Sequence, residues 1–226
     1  MSNFVLLKHK LEQTMESRNT NWDTEYNVLT TSELRQKSHF EIKKAGQYIP
    51  FFQLCTNMCF FEPAMIHRFQ KITWEAYAKK QPVVLSFLSG GWNQYGLEHL
   101  QKLQILQQEV AALGGKLLVF TDASREEIID LKERFTILFD MVSDPTNQFA
   151  EQIGNYKQNY SPSDYISGVE GHVAIPTTLV INHFGKIIYD FSSVHFEKHV
   201  PISPILAALW AAKTNIPYRF SRPKAA

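Results

Sequence analysis

The run Val83-Val84-Leu85-Ser86-Phe87-Leu88, followed by Ser89-Gly90-Gly91-Trp92 and then a helical pattern, constrains this chain more than any other segment. Six residues rich in β-branched and large apolar side chains, without polar alternation, predict a strand covered on both faces. The glycine pair turns the chain. Leu97, Leu100, Leu103, Leu106, Val110 and Leu113 then recur at three- and four-residue steps up to Gly114-Gly115, as in a helix with one apolar stripe. A strand that runs into a helix in this way places the first free N–H groups of the helix at the end of the sheet. Such a corner lowers the pKa of a thiol and favours an anion. The residue at the corner is Asn93, whose amide neither titrates near neutrality nor acts as a nucleophile. Its expected role is a helix cap worth ~1 kcal/mol.

The segments that follow extend the pattern. Leu117 to Phe120 is a second apolar strand, and Ser124 with Glu127 forms a capping box ahead of a helix carrying Ile128, Leu131 and Phe135. This β-α-β-α order predicts a parallel sheet with right-handed crossovers. Asp144-Pro145 predicts an N-cap with proline at the first helical position, and Gly154 the end of that helix. Asn155 to Gly171, with Tyr156, Tyr160 and Tyr165, reads as a packed surface excursion. Ile175 to Ile181, with Pro176 at its entrance, the turn Asn182-His183-Phe184-Gly185 and the strand from Lys186 to Phe191 form a β-hairpin. Ser203-Pro204 opens a last helix. Upstream, Gly46 to Phe51 is turn-like and opens an apolar run through Leu54 to Phe61, while residues 1–44 carry the scattered apolar positions of one or two surface helices. The expected division is a helical extension over 1–44, an α/β domain over 45–215 and a frayed tail over 216–226.

Among 226 residues, 44% hydrophobic and 13% aromatic content supports one full-sized core. Twenty-three Lys and Arg stand against 22 Asp and Glu, formal net +1, so the charge sum gives no expectation of a nucleic-acid or anionic-membrane partner. No apolar stretch approaches the ~20 residues that span a bilayer, and Met1 to Lys10 lacks a signal-peptide core. A cytoplasmic location is expected on that basis. Cys55 and Cys59 are the two cysteines of the chain and provide no disulfide framework. On a helix their C-x-x-x-C spacing would put them on one face within bridging reach, whereas on a strand it separates their Cα atoms by ~13 Å. Set among Phe, Leu and Met, they are expected to be small inert hydrophobes, with redox chemistry as the alternative.

His195 and His199 have i,i+4 spacing and His172 precedes the Pro176 strand, but no cysteine or carboxylate pattern completes a ligand set and Pro201 interrupts a helix through the pair. No metal or other cofactor is expected. His183 falls in the hairpin turn, where exposure is its ordinary explanation. A hydrolase elbow and a phosphate-cradling glycine motif are both missing from the sequence, although Gly90-Gly91 before a helix start would suit a small anion.

Three landmarks together resemble the peroxiredoxin-like members of the alkyl hydroperoxide reductase and thiol-specific antioxidant family, which have a thioredoxin-like fold. Gly46 to Leu54 is similar to the family's G-D-x-A-P-x-F-x-L segment, Pro82 to Gly96 to P-V-V-L-S-F-Y-R-G-G-W-C-P-Y-C, and Val173 to Ile181 to V-P-x-T-x-V-I. The resemblance implies a mixed sheet flanked by helices, a cis bond before Pro176 and commonly a homodimer. It also places the family's peroxidatic cysteine on Asn93 and its second motif cysteine on Gly96, with Gly90 where threonine is frequent and Gln94 in place of the intervening proline. The implied site is therefore a vestigial pocket of Trp92, Asn93, Gln94, Tyr95, Gly96 and Pro176. Peroxide reduction consumes a thiolate, so a redox-inactive protein with a binding or assembly role, its partner a protein or small molecule, is the expectation. The alternative is a thiol oxidoreductase or peroxidase that uses Cys55, Cys59 or both.

Overall fold

A computed structural model describes residues 40–61, 71–88, 94–159 and 172–215. In chain order the elements are β1 (Gln53–Cys55), a one-turn 3-10 helix (Thr56–Met58), β2 (Cys59–Phe60), β3 (Lys71–Thr73), α1 (Trp74–Ala78) and β4 (Val83–Leu88). There follow α2 (Gln94–Ala112), β5 (Lys116–Thr121), α3 (Arg125–Phe135), β6 (Asp140–Ser143) and α4 (Gln148–Ile153). The hairpin strands β7 (Thr177–Ile181) and β8 (Ile187–Ser192) and the helix α5 (Ile202–Thr214) complete the order. The main sheet is mixed, β2-β6-β5-β4-β7-β8, and β1 pairs separately with β3. The pairings β4–β5 and β5–β6 are parallel, as the β-α-β-α order requires, whereas β7 lies antiparallel on the other side of β4.

Every residue of β4 is buried, and alternate side chains serve two different cores. Val83, Leu85 and Phe87 point with Leu118, Phe120, Leu179 and Ile181 towards α1, α4 and β1. Val84 and Leu88 point with Leu117, Val119 and Val180 towards α2, α3 and α5. The period-2 alternation of strand side chains thus makes both faces of the sheet interior. Helix α2 supplies Leu100, Leu103, Leu106 and Val110 to the second core, the stripe expected from the sequence, and the chain turns at Gly114, where φ is +74°. The Ser124 and Glu127 capping box is present in full at the start of α3.

Helix α4 starts differently from the expectation. Pro145 is not its first residue: the cap position is Asn147, in the left-handed region and without a side-chain cap bond. Asp144 nevertheless acts as the cap at a distance, its carboxylate accepting the N–H groups of Gln148, Phe149 and Ala150 at 2.9, 2.9 and 3.2 Å. A tight turn over residues 144–147 brings it back over the helix end, so the residue type was legible and its offset was not. The expected helices of residues 1–44 lie outside the described residues except for 40–44, which are irregular.

The start of the domain is fastened to the end of α4. The Lys43 N–H donates to the Ile153 carbonyl at 2.9 Å, and Gly154 ends the helix at φ +86° against the backbone of Glu41. A Cβ at Gly154 would overlap the Glu41 carbonyl oxygen. Gly154→Ala is therefore expected to lower unfolding free energy by about 1–3 kcal/mol, and by more than Gly46→Ala, which has φ +95° but open space around it. Urea midpoints for the two variants check this difference.

Candidate functional site

The first turn of α2 is held by the loop that follows β8. Ser89 to Asn93, including Gly90, Gly91, Trp92 and the expected cap Asn93, lie outside the described residues. Of the remaining vestigial-pocket positions, Gln94 is exposed and Tyr95 half-buried, while Gly96 and Pro176 are buried. Gln94 donates to Glu98 one turn on, and the Pro176 carbonyl accepts the Ser193 N–H at 2.9 Å. The structure therefore brings the first turn of α2 and the loop after β8 to one place, which the sequence reading did not do.

That loop clamps the helix. Tyr95 donates its hydroxyl to the Lys198 carbonyl at 2.9 Å, and its ring stacks on His199 at 4.9 Å and meets Phe196 edge-on at 5.4 Å. His199 Nε2 lies 2.8 Å from a carboxylate oxygen of Glu98, so the imidazole bridges two successive contacts on α2. Ser193 closes the loop on itself by accepting the Lys198 N–H at 3.0 Å. Burial pushes the Tyr95 phenol up to about 12, with a smaller opposing effect from the Ser193 hydroxyl, so it stays a neutral donor.

Beneath this clamp is a polar group the sequence reading passed over. His99 is 1% exposed and lies between α2 and the sheet, its Nε2 3.5 Å from the Ser86 hydroxyl. Ser86 in turn is 2.9 Å from the Thr178 hydroxyl, its partner across the β4–β7 pairing. Burial, and secondarily the neighbouring His199, hold the His99 imidazole down to about 3, so it is neutral at physiological pH. Serine and histidine in contact suggest an activated hydroxyl, but Ser86 is 0% exposed and its oxygen also lies 3.5 Å from the Thr177 carbonyl. A nucleophile needs substrate access, and this pair sits in the core. The available signal was positional: residue 99 falls within the apolar stripe of α2, and Ser86 and Thr178 interrupt otherwise apolar strands.

The cysteines occupy neither of the two arrangements weighed from the sequence. Cys55 ends β1 and Cys59 begins β2, with the 3-10 turn between them. Cys59 pairs with Val142 on the sheet edge, three strands from β4, a separation of about 14 Å by ordinary strand spacing. Burial pushes its thiol up to about 12, with Cys55 and Asp140 adding to the shift. At pH 7 the Cys59 thiol is therefore held in its protonated, unreactive form. Asp140 also accepts the Tyr77 hydroxyl at 2.8 Å. Both cysteines are free and half-buried.

The other histidines are dispersed. His172 is exposed, His183 meets the Phe184 ring at a tilt in the hairpin turn, and His195 and His199 sit in a turn-containing loop rather than on a helix. Among the described residues no three His, Cys, Asp or Glu side chains converge as metal ligands would. No helix among them is long and apolar enough to cross a membrane.

The His99 environment sets a pH dependence. Its folded value near 3 lies below the ordinary 6.5, so between these limits the unfolded chain binds a proton that the folded chain does not. Stability is expected to fall as pH drops below 6.5, by up to about 1.4 kcal/mol per pH unit from this group. The loss between pH 7 and pH 5, measured by urea unfolding, should be smaller by about 1–2 kcal/mol in His99→Gln.

The comparisons with known proteins agree on the architecture. Mycobacterium tuberculosis AhpC superposes with a TM-score of 0.57 at 14% identity, covering 77% of this chain and 96% of that one. A reduced 2-Cys peroxiredoxin of Plasmodium vivax gives 0.60 at 14% identity over 78% and 85%. The peroxidoxin BcpB of M. tuberculosis gives 0.54 at 17% identity over 76% and 97%. At these identities the likeness is one of fold, the thioredoxin-like fold of peroxiredoxins. No curated protein sequence matches this chain significantly. The AhpC/TSA family pattern matches residues 45–190, from ahead of β1 into β8, and the chain therefore belongs to the AhpC/TSA family.

Proposed function

We propose that this protein is a peroxiredoxin-like chain that no longer reduces peroxides and acts by binding another molecule or by assembling with it. The carrying observation is the location of sulfur. Asn93 and Gly96 stand where the family's thiols would be, and Cys59 lies three strands from the corner with its thiol pushed up to about 12. A peroxide reductase needs a thiolate at a site that a peroxide can enter. Cytoplasmic residence, a homodimer and a domain over 45–215 with extensions at 1–44 and 216–226 belong to the same proposal.

A second reading, a thiol oxidoreductase, draws on the partial exposure of Cys55 at the end of β1. Peroxide consumption with a dithiol reductant separates the two. The wild type, Cys55→Ser and Cys59→Ser are expected to consume hydrogen peroxide no faster than the reductant alone. Turnover in the wild type that is abolished by Cys55→Ser would establish the second reading instead.

A further inference from the structure

At the end of the sheet away from the β4–α2 corner, two turns lie side by side and carry lysines. One, Lys79 to Pro82, links α1 to β4, and the other, Leu113 to Lys116, links α2 to β5. They meet where the Lys116 N–H donates to the Pro82 carbonyl at 3.0 Å. Lys213 reaches the second turn from α5, its ammonium donating to the Leu113 carbonyl at 2.8 Å close to Gly114. The Lys116 ammonium sits over the Tyr77 ring, 4.6 Å from the centroid, and donates to the Tyr77 carbonyl. Lys79 and Lys80 are exposed and both left-handed, with φ of +48° and +67°. Glycine and asparagine adopt that conformation with less strain, so lysine at both positions runs against local preference.

Among the described residues none of these four ammoniums forms a salt bridge. Burial lowers the Lys116 pKa from its ordinary value; Asp140 opposes the shift and Lys79 adds to it, so the two ammoniums are near enough to repel. Asp140 is already taken up with the Tyr77 hydroxyl. Two exposed carboxylates, Glu75 and Glu109, stand one helical turn back from the two turns. Trp210, 52% exposed, precedes Lys213 by three residues on α5, a spacing that puts the two on one side of the helix. Tryptophan is enriched among the residues that dominate protein interfaces. A formal net charge of +1 gives the chain little long-range pull on a nucleic acid or an anionic membrane, so a short anionic segment suits the patch better. We propose that this basic edge is a docking surface for an acidic segment of another protein, whose carboxylates pair with Lys79, Lys80, Lys116 and Lys213 and whose apolar side chain covers Trp210. The inference goes beyond the reading above, because it assigns a partner class to the opposite end of β4 from the corner and does not depend on whether any thiol turns over.

The test uses the full chain and a fluorescein-labelled peptide of glutamates interrupted by leucines, its binding followed by fluorescence anisotropy. The comparisons are the same peptide with glutamine for glutamate, a single-stranded RNA of equal charge and vesicles containing phosphatidylserine. The key variant combines Lys79→Asn with Lys80→Asn, which removes two charges and leaves a residue suited to the left-handed turn. Saturable binding of the glutamate peptide, weakened about fivefold or more in that variant and about twofold or more in Trp210→Ala, would support the proposal. Lys102→Gln, elsewhere on α2, is expected to change binding less than either. Absence of saturable binding, smaller effects of the variants, or glutamine peptide, RNA or vesicles bound as tightly as the glutamate peptide would overturn it. Should the double variant fail to fold, Lys213→Gln decides in its place, with a loss of about threefold as the threshold. The peroxide assay reads a different property, so either proposal can fail while the other stands.

Discussion

Interior on both faces, the central sheet admits no polar side chain that lacks a partner, and that constraint shapes the rest of the molecule. A buried hydroxyl or imidazole without a hydrogen bond costs about 1–3 kcal/mol. Ser86 and Thr178 meet this constraint across adjacent strands, and His99 comes down on them from α2. Because the imidazole is kept neutral, the group works as a dry polar brace between helix and sheet rather than as an acid or base. The same need explains Asp144, which reaches back over a turn to satisfy three orphan N–H groups where the nominal cap, Asn147, makes no side-chain cap bond.

Chemical capacity is distributed unevenly over this scaffold. The helix start that follows β4 has its first turn occupied by Tyr95 and Glu98, each held by the loop carrying Lys198 and His199. The thiols lie elsewhere, one on an edge strand beside a carboxylate and a tyrosine, the other half-buried at the end of β1. The thioredoxin-like architecture is thus present here together with free cysteines on β1 and β2. Fold and activity are separable properties, and it is the placement of a few side chains that distinguishes them.

Local signals made much of the fold legible in the sequence. The largely apolar run of β4, the stripe of α2, the capping box of α3 and the glycines at 114 and 154 each act over a few residues and survive into the structure. What escaped depends on distant partners. His99 looks like a surface residue in a list of residue types, and only the period of its helix places it inside. The segment from Cys55 to Cys59 was read as one helix or one strand, but it breaks into two short strands around a single turn, each paired with a different neighbour. Pairing over long sequence separation, not local preference, decided that outcome.

The seating of β7 beside β4 has a temporal side. Ser86 and Thr178 face each other although they are 92 positions apart in the chain, so β4 gains β5 early and must wait for the hairpin before its other flank is covered. Until then a buried, mostly apolar strand has an open edge, a state that invites pairing with foreign chains. Closure of such a distant contact slows the search for the native topology. During synthesis, the protein is most vulnerable to aggregation in the interval between emergence of the fifth strand and emergence of the seventh.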